Sequence, residues 1–145
     1  MNASDAAFWD AVDEIRDRDD RLHREAYGFV LAALGWAVRH LPDHRRDDPA
    51  RRHLTGAELV AAMATLARRE FGVIAATVFR EWGIRSNEDI GRLVFQLVES
   101  RRLSARPEDS MQDFLAAADV FETLGDERAP LGTPRPGGDE TLPER

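Results

Sequence analysis

The sequence predicts an all-α protein: a compact bundle of five or six helices that contains a helix-turn-helix-like unit and ends in a disordered C-terminal tail. Three observations predict it. Apolar residues recur at spacings of three and four through several segments, the period of a helix with one buried face. Capping residues and helix breakers stand between those segments. The last 21 residues, "GDERAPLGTPRPGGDETLPER", hold four Pro and four Gly with almost no apolar side chain, a composition that cannot bury enough surface to fold. The expected domain division is a helical domain over 1–124 and a tail over 125–145.

The first helix spans about 3–18. Phe8, Val12 and Ile15 fall at i, i+4 and i+7 with Ala11 beside them, and Asp10, Asp13, Glu14 and Asp17 lie opposite. "RDRDD" (16–20) ends it and offers Asp19 or Asp20 as the N-cap of the next. The second helix, about 20–41, carries a broad stripe of Leu22, Ala26, Phe29, Val30, Ala33, Ala37 and Leu41, widened by Tyr27, Leu34 and Val38. A stripe that wide implies more than one neighbour, which places this helix centrally. Gly28, Ala32 and Gly35 share its narrow remaining face. Each interior glycine costs up to about 1 kcal/mol relative to Ala, and close approach of another helix, from this chain or a partner, compensates. Pro42 stops the helix, and the loop "PDHRRDDPARRH" (42–53) nearly balances four Arg against three Asp.

Thr55-Gly-Ala-Glu58 has capping-box spacing and starts the third helix, with Leu59, Val60, Met63, Leu66 and Ala67 as its apolar face and Gly72 after its end. The fourth, about 73–82, sets Ile74, Ala75, Val78, Phe79 and Trp82 on one side and stops at Gly83. The fifth starts at Ser86, with Asp89 completing a second capping box, and runs to about Ser100. Pro107 breaks the segment after it. Asp109 or Ser110 caps a last helix with Met111, Phe114, Leu115 and Ala118; a short hairpin over 101–124, as in a winged helix, is the competing and less favoured reading.

Residues 73–100 read as helix, turn (Trp82-Gly83-Ile84-Arg85) and capped helix, the arrangement that in DNA-binding proteins sets a second helix in the major groove. Projected at 100° per residue, Ile90, Leu93, Val94, Leu97 and Val98 point inward, and Glu88, Asp89, Arg92, Gln96 and Glu99 point outward. Three carboxylates on the face that would meet a polyanion argue against that use. So does the net charge of −7. Arg85, Arg101, Arg102 and Arg106 are the basic residues a nucleic-acid contact would need, and they would have to share one face. Gly91 in this helix is explained by close packing.

The composition, 43% hydrophobic and 32% charged over 145 residues, is that of a soluble globular domain. The chain has no cysteine and no lysine. It therefore has no disulfide, thiolate nucleophile or Cys-ligated metal, and no Schiff-base or P-loop lysine. The N-terminal segment lacks the pattern of a signal peptide and no apolar run approaches the roughly 20 residues that span a bilayer, so the expected compartment is the cytoplasm, without membrane contact. His23, His40, His44 and His53 show no metalloprotease spacing. His44 and His53 with Asp43, Asp47 or Asp48 are the nearest approach to a metal set, and solvated loop residues are the simpler reading. His23 and His40 fall toward the apolar side of the second helix, as partly buried imidazoles. Ser86 is an N-cap, and no nucleophile motif surrounds any serine. Catalytic, cofactor and metal residues are accordingly expected to be none. An enzyme would need a pocket gathering His23 or His53 with carboxylates.

The segments "FWDAVDEIRDRDDRLHREAYGFVLAAL", "RRHLTGAELVAAMATLARREFG", "VFREWGIRSNEDIGRLVFQLVES" and "LSARPEDSMQDF" together resemble the uncharacterised Verruc-Plancto-restricted family of bacterial proteins. The resemblance rests on His23 to Tyr27, His53 to Leu59, Phe71-Gly72, Trp82-Gly83 and Val94 to Val98, and covers about 8–120. It implies one compact domain and carries over no catalytic residue, cofactor or substrate. The loop over 42–52 is longer and richer in Arg than the family pattern. The function expected is a non-enzymatic interaction or regulatory module that binds another protein or itself, through Gly28, Ala32, Gly35 and Trp36. Nucleic-acid binding through 73–106 is the alternative.

Overall fold

Each long helix of the computed structural model sits where apolar periodicity places it, and the differences lie at the ends and in the connections. The structure describes residues 3–125, so the tail expected over 125–145 lies, past Gly125, outside the described residues. In order come α1 (Ala3–Arg18), α2 (Arg24–Arg39), α3 (Asp43–Arg46), α4 (Gly56–Phe71), α5 (Ala75–Glu81), α6 (Asn87–Glu99), α7 (Met111–Leu115) and α8 (Val120–Thr123), with 3-10 turns at Pro49–Arg51 and Gly72–Ile74. Among the described residues there is no strand. The 101–124 segment therefore forms no wing hairpin; it holds two short helices in place of one, after turns and irregular chain over 101–110.

The hub is α4, and the expectation that α2 is central is corrected. Leu59, Val60, Ala62, Met63, Ala64, Leu66 and Ala67 are all buried, and α4 packs against α2, α5, α6, α7 and α8, whereas α2 packs mainly on α4 and α1. Four of those seven are Ala or Met: short or flexible side chains let several helices approach one axis, which the bulkier stripe of α2 does not. At one end of the α2–α4 pair Phe29 meets Phe71, and with Phe79 and Trp82 they form an aromatic cluster with centroids 5.4–5.9 Å apart. Phe121 of α8 adds an edge contact to Phe79 at 6.5 Å. Such pairs add about 0.5–1.5 kcal/mol beyond area burial.

Local chemistry accounts for the helix ends. Thr55 Oγ1 accepts from the Glu58 N–H while Glu58 Oε1 accepts from the Thr55 N–H, the reciprocal cap its spacing predicts. Gly72 ends α4 at φ +60°. The N-cap of α2 is His23, whose Nδ1 accepts from the Glu25 N–H, and not Asp19 or Asp20; Asp19 is held by Arg21 instead. Because α2 starts only at Arg24, His23 is exposed, and so is His40 beyond the other end. The partly buried imidazoles expected there are not found. Asp89 makes no box with Ser86, since its carboxylate accepts the Arg85 N–H at 2.8 Å and pairs with Arg92. Ser110 precedes α7 with its N–H donated to Asp113.

Candidate functional site

The 42–53 loop is organised by one side chain. Arg45 reaches both carboxylate oxygens of Glu58, at 2.6 and 3.3 Å, and donates to the backbone carbonyls of Arg51 and His53. Those hydrogen bonds hold the Glu58 carboxyl below its ordinary range against a smaller opposing effect of burial. The loop is thus pinned to the start of α4. It is tied on its other side to the segment after α6: His53 Nε2 donates to Asp109 Oδ2 at 2.7 Å, and Arg106 donates to the Ala50 carbonyl. Asp109 also accepts the Arg106 N–H.

Between these walls lies a cleft of about 310 Å³. Its apolar surface comes from Leu34 and Val38 of α2, Leu59 of α4, Val94, Phe95 and Val98 of α6, and Leu103 and Phe114. Its polar rim is Arg52, His53, Thr55, Arg102, Asp109 and Asp113. Residues 56 positions apart make the His53–Asp109 contact, so no local spacing could reveal it. The apolar lining left a trace in the sequence. Leu34 and Val38 widen the stripe of α2, and Val94 and Val98 widen that of α6; all four are only partly buried. The stripes are broader than their neighbours cover.

Sequence reasoning names His23 or His53 as the imidazole an enzyme site would need; the structure gives His53 a carboxylate and a cleft and leaves His23 exposed as a helix cap. Two hydroxyls line the same cleft, Thr55, engaged as a helix cap, and Ser104, and neither is hydrogen-bonded to His53. Among the described residues no three His, Asp or Glu side chains gather to hold a metal ion.

The expected contact residues fall in different places. Gly28 is covered within the chain, because the Trp9 ring of α1 lies where a Cβ would stand, at 2.8 Å. Phe8 meets the Trp9 ring edge-on, and the Arg24 guanidinium lies over it. Ala32 is exposed, and a Cβ on Gly35 would meet only the end of Arg39. Trp36 is half-buried and stacks on His40 at 4.3 Å. Gly91 receives Met111 and Phe114, the close packing expected of it.

Arg85 lies before α6 and Arg101 and Arg102 lie after it, so they are separated by its 13 residues, roughly 20 Å of helix. Arg85 is thus set apart from the other two by the length of the helix. The outward face of α6 is not free either. Gln96 Oε1 accepts from the Tyr27 hydroxyl at 2.7 Å, and Gln96 Nε2 donates to Asp19 at 3.1 Å. Arg92 is paired with Glu88 and Asp89. The face meant for base edges is thus partly occupied by the α1–α2 connection.

This network titrates at both extremes. The Arg21 hydrogen bond holds the Asp19 carboxyl down at about 2. Burial first, and the Asp19 charge second, push the Tyr27 phenol up to about 12. A depressed carboxyl contributes stability above its unfolded value that is lost as pH falls through 3.8 toward 2. A raised phenol contributes stability below its unfolded value that is lost as pH rises from 10 toward 12. Tyr27 is the chain's single tyrosine, so phenolate absorbance during an alkaline titration reports this group alone. It is expected to emerge near pH 12 in the native protein and near the ordinary value of 10 in the urea-unfolded chain; an ordinary phenol midpoint in the native fold would refute a burial origin for the shift.

No helix among the described residues is long and apolar enough to cross a membrane. No protein-family model, no curated protein and no solved structure matches the chain, so the reading of this site rests on its geometry.

Proposed function

We propose that the protein is a small cytoplasmic, non-enzymatic binding module, and that the α2–α4–α6 cleft is where it binds. One observation carries the reading: side chains from four helices (α2, α4, α6 and α7) and two connecting segments form a concave apolar surface with a few polar groups converging on its rim. Such surfaces are where proteins take ligands or the apolar groups of partners. The nucleic-acid alternative has less support, with its four arginines divided between the two ends of α6 and Arg106 engaged by the Ala50 carbonyl.

A titration of the full chain with an anilinonaphthalene sulfonate dye tests the site. A single saturable site is expected, with binding weakened at least tenfold in Val98→Asp and in Leu34→Gln, each confirmed by circular dichroism to keep its helicity. The factor follows from placing a polar group against the apolar body of the ligand, at about 1.4 kcal/mol or more. Unsaturable binding, or binding that both variants leave intact, would move the site elsewhere.

A further inference from the structure

We infer that the cleft's ligand is a small amphipathic acid: an apolar chain of moderate length that ends in a carboxylate, with the chain on the Val94, Val98 and Leu34 surface and the carboxylate between Arg52 and Arg102. The inference rests on the cleft being the binding site and adds the chemistry of what fills it.

The charge state of the rim selects an anion. Both lining carboxylates are already engaged, Asp109 by His53 and by the Arg106 N–H, and Asp113 by the Ser110 N–H. The two lining guanidiniums are not matched in this way. Arg102 donates only its Nε, to the Ser100 carbonyl at 3.3 Å, and neither it nor Arg52 has a carboxylate partner among the described residues. Two arginines beside an apolar surface, in a chain of net charge −7, supply what a carboxylate requires: planar donors able to bind both oxygens. A nucleic acid or a polyphosphate would not use the apolar surface between them.

The shape selects a small molecule. The volume, about 310 Å³, is at the low end of ligand pockets, which run from roughly 300 to 1,000 Å³. The segments 50–53 and 106–109 are tied to each other by the His53–Asp109 contact and by Arg106 on the Ala50 carbonyl. A small cleft bordered by segments tied in this way suits the end of a chain better than a polypeptide running through it.

Calorimetric titration of the full chain with octanoate and decanoate, with the matching alcohols, and with a short leucine-terminated peptide in its acid and amide forms tests this. The acids are expected to saturate one site and displace the dye, and the alcohols to bind at least tenfold more weakly. Arg52→Gln and Arg102→Gln, both at exposed positions, should each weaken the acids roughly tenfold and leave the alcohols unchanged. Equal affinity for acid and alcohol would overturn carboxylate recognition while the cleft stands. Dye binding without displacement by any of the acids would do the same. Tighter binding of the free-acid peptide than of either fatty acid would replace the small molecule with a protein C-terminus. If neither dye nor acid binds, the cleft reading falls as well.

Discussion

Gly83→Ala is expected to destabilise the protein by about 4 kcal/mol, combining backbone strain of about 1–3 kcal/mol with overpacking of similar size. Gly83 closes the α5–α6 turn at φ +91°, a conformation that L side chains rarely adopt. A Cβ there would stand 2.3 Å from the Arg21 carbonyl oxygen. The obstacle is backbone and cannot rotate away, and the same two segments are joined by the His23 N–H donating to the Trp82 carbonyl at 2.8 Å. Relief of the clash would pull the α1–α2 connection off the turn. Gly72→Ala is the control. Its φ is +60° and nothing lies within 4 Å of the added carbon, so only the conformational part, about 1–3 kcal/mol, should appear. Urea denaturation followed by circular dichroism measures both. Equal losses in the two variants would remove the close approach from the explanation.

Asn87→Leu is expected to cost about 3 kcal/mol and to loosen the C-terminal part of the domain before the rest. Asn87 is 6% exposed. Its amide nitrogen faces the carbonyls of Phe114, Ala117 and Ala118 at 3.0–3.2 Å. Its Oδ1 accepts the Val120 N–H at 3.0 Å. One side chain at the start of α6 thereby satisfies the end of α7 and the beginning of α8. Leucine is close in size and removes the partner of the Ala117 and Ala118 carbonyls and of the Val120 N–H, at about 1–3 kcal/mol for a buried group that loses its partner. Hydrogen exchange at Val120 should accelerate by far more than exchange in the centre of α4. Asn87→Asp separates shape from hydrogen bonding. A carboxylate facing three carbonyls and buried from water is disfavoured, so its folded-state pKa is raised and its stability is present at low pH and lost as pH rises. A variant equally stable at acid and neutral pH would contradict this account.

The positions of the long helices were legible because their information is local. Val12, Ile15, Met63, Ile90, Leu93 and Leu97 repeat at helical spacing and all are buried. The Thr55–Glu58 cap spans three residues, and Gly72 and Gly83 mark ends with positive φ. Local signals also misled. Asp19 and Asp20 are good capping residues by type, yet the chain caps α2 with His23 and commits Asp19 to Arg21 and Gln96. The Gln96 partner of Asp19 lies 77 positions away, which no window along the sequence contains.

The same distinction separates the fold class from the site. By itself the sequence determined an all-α architecture, the faces its long helices bury and the packing role of Gly91, since each depends on neighbours within one or two helical turns. Only the tertiary structure decided that α4 is the hub, that Trp9 covers Gly28, that Gln96 faces Tyr27 instead of solvent, and that His53 meets Asp109 beside a cleft. Those outcomes depend on which helix lies against which. That choice is made by how whole apolar surfaces fit together, and the cleft is the surface that α2, α4, α6 and α7 leave uncovered when they do.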